Sequence, residues 1–334
     1  MNYRTISRRQ LLTHAAAGGA ALTFAPGILA QSSDWPSQPI KFIVPFAAAG
    51  VTDLTMRTVC KFVSDRIGQP IIVENRAGAG GTVGMNAIAK ATPNGYTIGA
   101  TASSTIIATP LTTQVPFEVS EVAFVSLLAS VPMVLSVLVS NPANNAQDFL
   151  KYIQANRGKL NYGSTAVGHY GHVAMMEMSE SQNGGMVHSP YKGEAPLLQD
   201  FLSGTLQVAF FAPSTIKSQV EGGKVKLLGV SGMKRLKSLP NVPTMFEQGL
   251  TSPVFRMDPG WVGVIAPAKT PAPILARLSN EFVAAMARPE LRDQISDFGL
   301  EPIGSNAESF AATFRSDLPV WRQLLTKAGL QVHA

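Results

Sequence analysis

Two stretches of the chain put small residues, hydroxyls and a carboxylate where an apolar run gives way to helical spacing: VPFAAAGVTD over 44–53 and NYGSTAVGHYG over 161–171. The chemistry such stretches support is anion binding. A helix that starts directly after a strand leaves its first N–H groups without internal acceptors, and its dipole favours negative charge there. Ala47, Ala48, Ala49 and Gly50 in the first stretch, and Gly163 and Gly168 in the second, carry little or no side chain and let an acid come close to those amides. Thr52, Asp53, Ser164 and Thr165 add hydroxyl or capping groups beside them. Either stretch alone reads as an ordinary strand-to-helix turn; two in matching positions point to one bound anion. Hydrogen bonds to a charged group contribute roughly 1.5–3 kcal/mol each. A few of them, after ordering costs, reach the roughly −8 kcal/mol of a micromolar complex. No arginine clamp is required.

Other chemistries fit less well. The run GAGGTVG over 78–84 misses the G-x-G-x-x-G spacing of a dinucleotide loop, and no acidic residue caps a following strand at the expected distance. Ser164 lies in YGSTA rather than in the G-x-S-x-G turn of a hydrolase. A triad there would need His169, His172 or His188 with a carboxylate beside it. His169 and His172 share a helix start, yet no H-E-x-x-H pattern and no third ligand accompany them, so no metal is expected. Blander roles are a polar pocket wall for His169, a hydrogen-bonded helix histidine for His172, and a helix cap for Asp53. Met175, Met176 and Met178 read as core filling. Cys60 falls on the apolar stripe of Met56, Val59, Val63 and Ile67, the place of a buried, inert thiol. No catalysis and no cofactor are expected.

The elements that must position the two loops follow from the hydrophobic pattern. IKFIVPF (40–46), PIIVEN (70–75) and PNGYTIGATAS (93–103) read as strands, separated by helices over 53–67 and 82–91. This order predicts a parallel sheet with helices on both faces. A second set begins near Ala129, with strands in 131–140, 160–168, 186–193, 206–213 and 224–232 and helices between them. WVGVIAPAKT (261–270) and two more helices complete the chain. Two such α/β lobes leave a cleft at their strand carboxyl ends, where sheets of this kind bind ligands. Phe46, Ser103, Ser104 and Phe211, at or near strand ends, join His169 and Tyr170 in the candidate ligand-binding set; Trp261 either lines the cleft or anchors the core.

The length of 334 residues suits two domains, and 46% hydrophobic with 14% charged residues excludes a disordered chain. Ser7-Arg8-Arg9-Gln10-Leu11-Leu12, followed by a soft apolar stretch from Ala15 to Ala30, reads as a twin-arginine export signal over 1–30. Gly18, Gly19 and Pro26 interrupt that stretch, which is too short to span a membrane. Its removal takes away Arg4, Arg8 and Arg9 and no acid, so the net charge falls from +6 to +3. No basic run follows a phosphate backbone, which excludes nucleic acid as a partner.

The motifs resemble those of the solute receptors of tripartite tricarboxylate transporters, the Bug-type receptors. The likeness runs in order through VPFAAAGVTD (44–53), GQPIIVENRAGAGGTVG (68–84), PNGYTIG (93–99), NYGSTAVGHYGH (161–172) and YKGEAPLLQDFLSG (191–204). It continues through GGKVKLLGVSGMKRLKSLPNVPTMFEQG (222–249) and WVGVIAPAKTPAPILARL (261–278). The resemblance implies a periplasmic-binding-protein type II fold: two doubly wound α/β domains, 34–131 with 232–334 and 132–231, joined by a hinge. It implies a monomeric, exported, periplasmic receptor that holds a di- or tricarboxylate, an acidic amino acid or an aromatic acid. The loops over 46–53 and 163–170 would grip the acid, and the cargo would pass to the transporter's permease. A sensor subunit serving a signalling partner is the alternative, and a hydrolase using Ser164 a more remote one. Two positions depart from the family pattern. Ala49 stands where a glycine is usual, which demands a negative φ or some strain. His169 and Tyr170 replace small hydroxyl residues, which narrows the pocket or brings them to the far part of the ligand.

Overall fold

The structure, a computed structural model, describes residues 35–191 and 193–333; the export signal expected over 1–30 lies outside them. From Gln38 onward the chain is built on two β-sheets. β1 (Ile40–Val44) is buried at every position except Lys41, as a strand covered on both faces must be. It runs parallel to β2 (Ile71–Asn75) and β3 (Thr97–Ala102), and the connections are α1 (Val51–Ile67) and α2 (Thr82–Ala89). α1 ends at Gly68, whose left-handed backbone (φ 70°) returns its N–H to the Ser64 carbonyl. In α2, a Cβ at Gly84 would lie 2.6 Å from Pro45 Cα, so this member of the glycine-rich run lets the helix pack onto the end of β1.

β4 (Val122–Ser130) has no counterpart among the strands expected from sequence. The chain then crosses to β5 (Val134–Leu138), α3 (Ala146–Ala155), β6 (Asn161–Ser164) and α4 (Tyr170–Ser181). The second sheet continues through β7 (Val187–Pro190), α5 (Glu194–Leu202), β8 (Val208–Phe211), α6 (Pro213–Glu221) and β9 (Val225–Val230). On its return the chain forms β10 (Trp261–Pro267), α7 (Ala272–Met286), α8 (Pro289–Asp297), β11 (Glu301–Pro302) and α9 (Ala307–Lys327).

Strand order is β11-β4-β10-β3-β1-β2 in one sheet and β7-β6-β8-β5-β9 in the other. β1, β2 and β3 are parallel, as their alternation with helices predicts, but neither sheet is parallel throughout. β10 runs antiparallel between β3 and β4, and β5 antiparallel between β8 and β9. The reason lies in the crossings. β4 and β9 end where the chain passes between sheets. A strand that has just crossed starts there and must run the other way.

The two crossing segments lie side by side. Val131 N–H donates to the Gly260 carbonyl at 2.7 Å, and Ser231 N–H to the Met133 carbonyl at 3.0 Å. Met133 N–H in turn donates to Ser231 Oγ at 3.0 Å. β10 beside them is buried along its whole length, and Trp261 packs edge-on against Phe310 at 5.0 Å between ring centroids. Met175 and Met178 fill the core of the second half, and Cys60 is buried, its thiol pushed up by loss of hydration. No helix among the described residues is long and apolar enough to cross a membrane.

Candidate functional site

A cavity of about 270 Å³ lies against the crossing segments, lined from both sheets. Phe46 and Thr52 reach it from the β1–α1 junction, Ser103 and Ser104 from the end of β3, and Ser164, Thr165, His169 and Tyr170 from the β6–α4 junction. Val131, Met133 and Gly260 of the crossings form its floor, and Phe210, Trp261 and Trp321 are apolar walls. Eight of the candidate ligand-binding residues therefore converge here, together with Trp261.

The rest are placed differently. Ala47, Ala48, Ala49 and Gly50 are solvent-exposed in the first loop and do not line the cavity. Phe211 is corrected by strand alternation: β8 turns Phe210 to the cavity and Phe211 into the core with Val134, Leu197 and Phe201. Gly163 is a packing glycine, since a Cβ there would lie 2.3 Å from Leu197 Cδ1 and 2.6 Å from Leu206 Cδ1. The Gly168 N–H is spent inside the protein, donating to His172 Nδ1 at 3.0 Å.

The first loop is braced from below. Ala49 adopts φ 63°, the left-handed region that its side chain disfavours. Its N–H donates to Asp53 Oδ2 at 2.9 Å. Asp53 also accepts from Arg57 Nε at 3.0 Å and from Asn75 Nδ2 at 2.8 Å. Its side chain is 2% exposed. Burial opposes the charge, but the hydrogen bonds from Arg57, Asn75 and Ala49 outweigh it and hold the carboxyl below its ordinary value. Asp53 is thus a brace for the loop, and the groups left for a ligand are the first-turn amides of α1 beside Thr52.

The second loop rests on a histidine stack. The Ser164 hydroxyl donates to the Ala166 carbonyl at 2.8 Å, so at the 2.8 Å contact with His188 Nε2 it accepts. His188 stacks on His172 at 4.0 Å and on Tyr162 at 4.9 Å. Burial, and then the charge of His172, push His188 down to about 4; burial lowers His172 as well. Thr165 Oγ1 lies 2.9 Å from His169 Nδ1. His169 keeps an edge in solvent, yet the protein around it lowers its basicity. Ser164 is not poised as a nucleophile, because its proton is bound to a carbonyl and His188 presents a proton to it rather than a lone pair. Among the described residues no carboxylate is hydrogen-bonded to His188. No group of three or more His, Cys, Asp or Glu there could hold a metal ion either.

Behind the floor lie two acids. Asp317 accepts from Trp261 Nε1 at 2.8 Å and is pushed up to about 6 by burial, with a further rise from Asp258. Asp258 retains solvent contact, yet the protein crowded round it raises its carboxyl too. The sequence carried no signal for Phe210, the crossing residues or Trp321, which reach the cavity from distant parts of the chain.

The profile described as "Tripartite tricarboxylate transporter family receptor" (TctC) matches residues 55–330. The UPF0065 protein in the tcbD-tcbE intergenic region of Pseudomonas sp. (strain P51) is 31% identical over 332 residues, covering 98% of this chain and 96% of its own. Among solved structures, the periplasmic binding protein BugD is 30% identical with a TM-score of 0.69, covering 89% of this chain and 99% of that one. The R. palustris protein Rpa4515, solved with adipate, is 26% identical with a TM-score of 0.74 and the same two coverages, 89% and 99%. The chain belongs to the tripartite tricarboxylate transporter receptor family, a family of solute-binding receptors rather than enzymes.

Proposed function

We propose that this receptor captures a small carboxylate outside the cytoplasm and delivers it to the permease of a tripartite transporter. The observation that carries this reading is the convergence of two helix starts: first-turn residues of α1 (Thr52) and of α4 (Tyr170, Gly171) line one cavity. Their free amides and aligned dipoles favour an anion there, and among the described residues no cationic side chain lines the cavity. Adipate in the related R. palustris protein supports an acid as the ligand class. Residues 34–131 with 232–334 and residues 132–231 would act as two bodies that close on the cargo by bending at the crossings. Arg8 and Arg9 would direct export to the periplasm.

The test is thermal unfolding with a panel of dicarboxylates, tricarboxylates and aromatic acids. An acid present at about 100 times its Kd is expected to stabilise the folded chain by about 2.7 kcal/mol. A flat response across the panel overturns the reading.

A further inference from the structure

The second loop is pinned from inside by one imidazole. Ser164, Thr165, His169 and Tyr170 line the cavity, whereas Ala166, Val167 and Gly168 between them do not. Gly168 (φ 82°) is buried, and a Cβ on it would lie 2.9 Å from Leu330 Cδ1 and 3.0 Å from Leu325 Cδ2, so the turn is pressed against the end of α9. The Gly168 N–H donates to His172 Nδ1. The His172 N–H donates in turn to the His169 carbonyl at 3.0 Å. One residue thus ties the turn to the helix start, and it does so from outside the cavity.

A backbone N–H can only donate, so the Gly168 bond needs a lone pair on Nδ1 and exists only with the neutral ring. A second proton would set one N–H against another across 3.0 Å. The first turn of a helix also disfavours positive charge. His188 is not the weak point, because its Nε2–H keeps the Ser164 bond whether or not Nδ1 takes up a proton.

Among the described residues, the titratable rings facing His172 are His188 of β7, stacked at 4.0 Å, and Tyr162 of β6, stacked at 6.4 Å. Arg157 and Glu180 stand beside Tyr162 in a surface hollow. On α4 itself, His169 is bonded to Thr165, and Glu177 and Glu180 pair with Lys327 of α9. Of the other elements packed on α4, β8 has no ionisable group and α3 carries Tyr152 and the Lys151–Asp148 pair. The short helix Pro253–Arg256 carries Arg256, which lies over the Phe246 ring. None of these carboxylates is hydrogen-bonded to either histidine, so none is placed to stabilise a second proton.

We propose that His172 is a positioning residue for cargo capture that works only in its neutral form: acid unpins the Gly168 turn, and the cargo is released. This rests on the capture of a carboxylate by the second loop and adds its control by pH. Burial pushes His172 below its ordinary 6.5, so the pin is intact at pH 7.5 and is lost as the pH falls. A charged ring would also attract an anion, but the charge is taken up only once the turn has left its place.

Amide hydrogen exchange of the full chain at pH 7.5 and 4.5, corrected for intrinsic rates, tests the pin without cargo. Protection of the 164–169 segment is expected to fall about five-fold or more in acid relative to the rest of the second sheet, the effect of one lost hydrogen bond. His172→Asn offers Gly168 an acceptor that does not titrate, and is expected to abolish that selective loss. His172→Phe keeps a ring in the stack without the acceptor, and is expected to show the acid pattern already at pH 7.5. Calorimetric titration with adipate, citrate and benzoate reads the consequence. Between pH 7.5 and 4.5 the parent's affinity for an acid that binds is expected to fall about five-fold further than that of His172→Asn, a comparison that cancels protonation of the acid itself. Unchanged protection of 164–169 in acid, or a loss uniform over the chain, overturns the pin. Affinity that falls no further in the parent than in His172→Asn overturns release and leaves carboxylate capture standing. Binding of none of the three acids overturns both. The exchange pattern of the unaltered chain decides by itself if a variant fails to fold.

Discussion

The Ala49 amide donates to Asp53 Oδ2 at 2.9 Å, so the helix that begins after the loop reaches back and holds the loop in a left-handed turn. Asp53→Ala is expected to lower stability by about 1–2 kcal/mol, the range for losing a helix-start acceptor, and to weaken carboxylate binding by freeing the loop. Ala49→Gly is expected to act the opposite way, raising stability by up to about 1 kcal/mol by relieving the left-handed alanine. Denaturant midpoints with unchanged slopes check both.

Thr52 stands in the first turn of α1 and lines the cavity. An aspartate there suits the helix dipole but competes with the cargo for the same amides. Thr52→Asp is therefore expected to leave the melting temperature of the free protein equal or higher and to reduce carboxylate affinity ten-fold or more, roughly 1.4 kcal/mol. Normal affinity in this variant, measured by titration calorimetry, would place the acid elsewhere.

His188 is held down to about 4 against an ordinary 6.5, first by burial and then by His172. Above pH 6.5 it is neutral in folded and unfolded chains alike. As the pH falls from 6.5 toward 4, the unfolded chain takes up a proton that the folded chain refuses, so stability declines across that window. His172, also lowered by burial, acts in the same direction. Melting temperatures of the parent and of His188→Gln, followed from pH 7.5 to 4, are expected to show a shallower decline in the variant.

Asp317 has the opposite sign. Burial lifts it to about 6 from an ordinary 3.8, so its folded-state advantage is complete below 3.8 and is lost as the pH rises through 6. Asp317→Asn keeps an acceptor for Trp261 Nε1 and removes the buried charge. It is expected to be more stable than the parent at pH 7.5, by an amount on the order of 1–2 kcal/mol. The difference should disappear near pH 4. Urea midpoints at the two pH values measure it.

The local features were legible because they are local. Small residues followed at once by helical spacing exposed both junctions, and the alternation of apolar runs with helices exposed β1 to β3 and their connections. What was hidden depends on residues far apart in the chain. β8 reads VAFF and is buried at all four positions, so nothing in its pattern tells which phenylalanine faces the cavity. β11 is only two residues long, too short for any periodicity to show. The antiparallel insertions follow from where the chain crosses, a property of the assembled sheets. Trp321 and Asp317 sit on α9, and only the folded chain brings Asp317 to Trp261 and Trp321 to the same cavity.

β10 sits in the middle of its sheet, although the chain makes it only after every strand of the other sheet. β5 to β9, by contrast, form one uninterrupted stretch that is complete before Trp261 emerges. During synthesis the later-made sheet therefore closes first, while the earlier one waits with a gap between β3 and β4. A polypeptide cut short before Trp261 keeps those two strands as bare edges, ready to pair with a neighbour. Prematurely terminated copies of this receptor are thus a precipitation hazard, not a half-working pair of jaws.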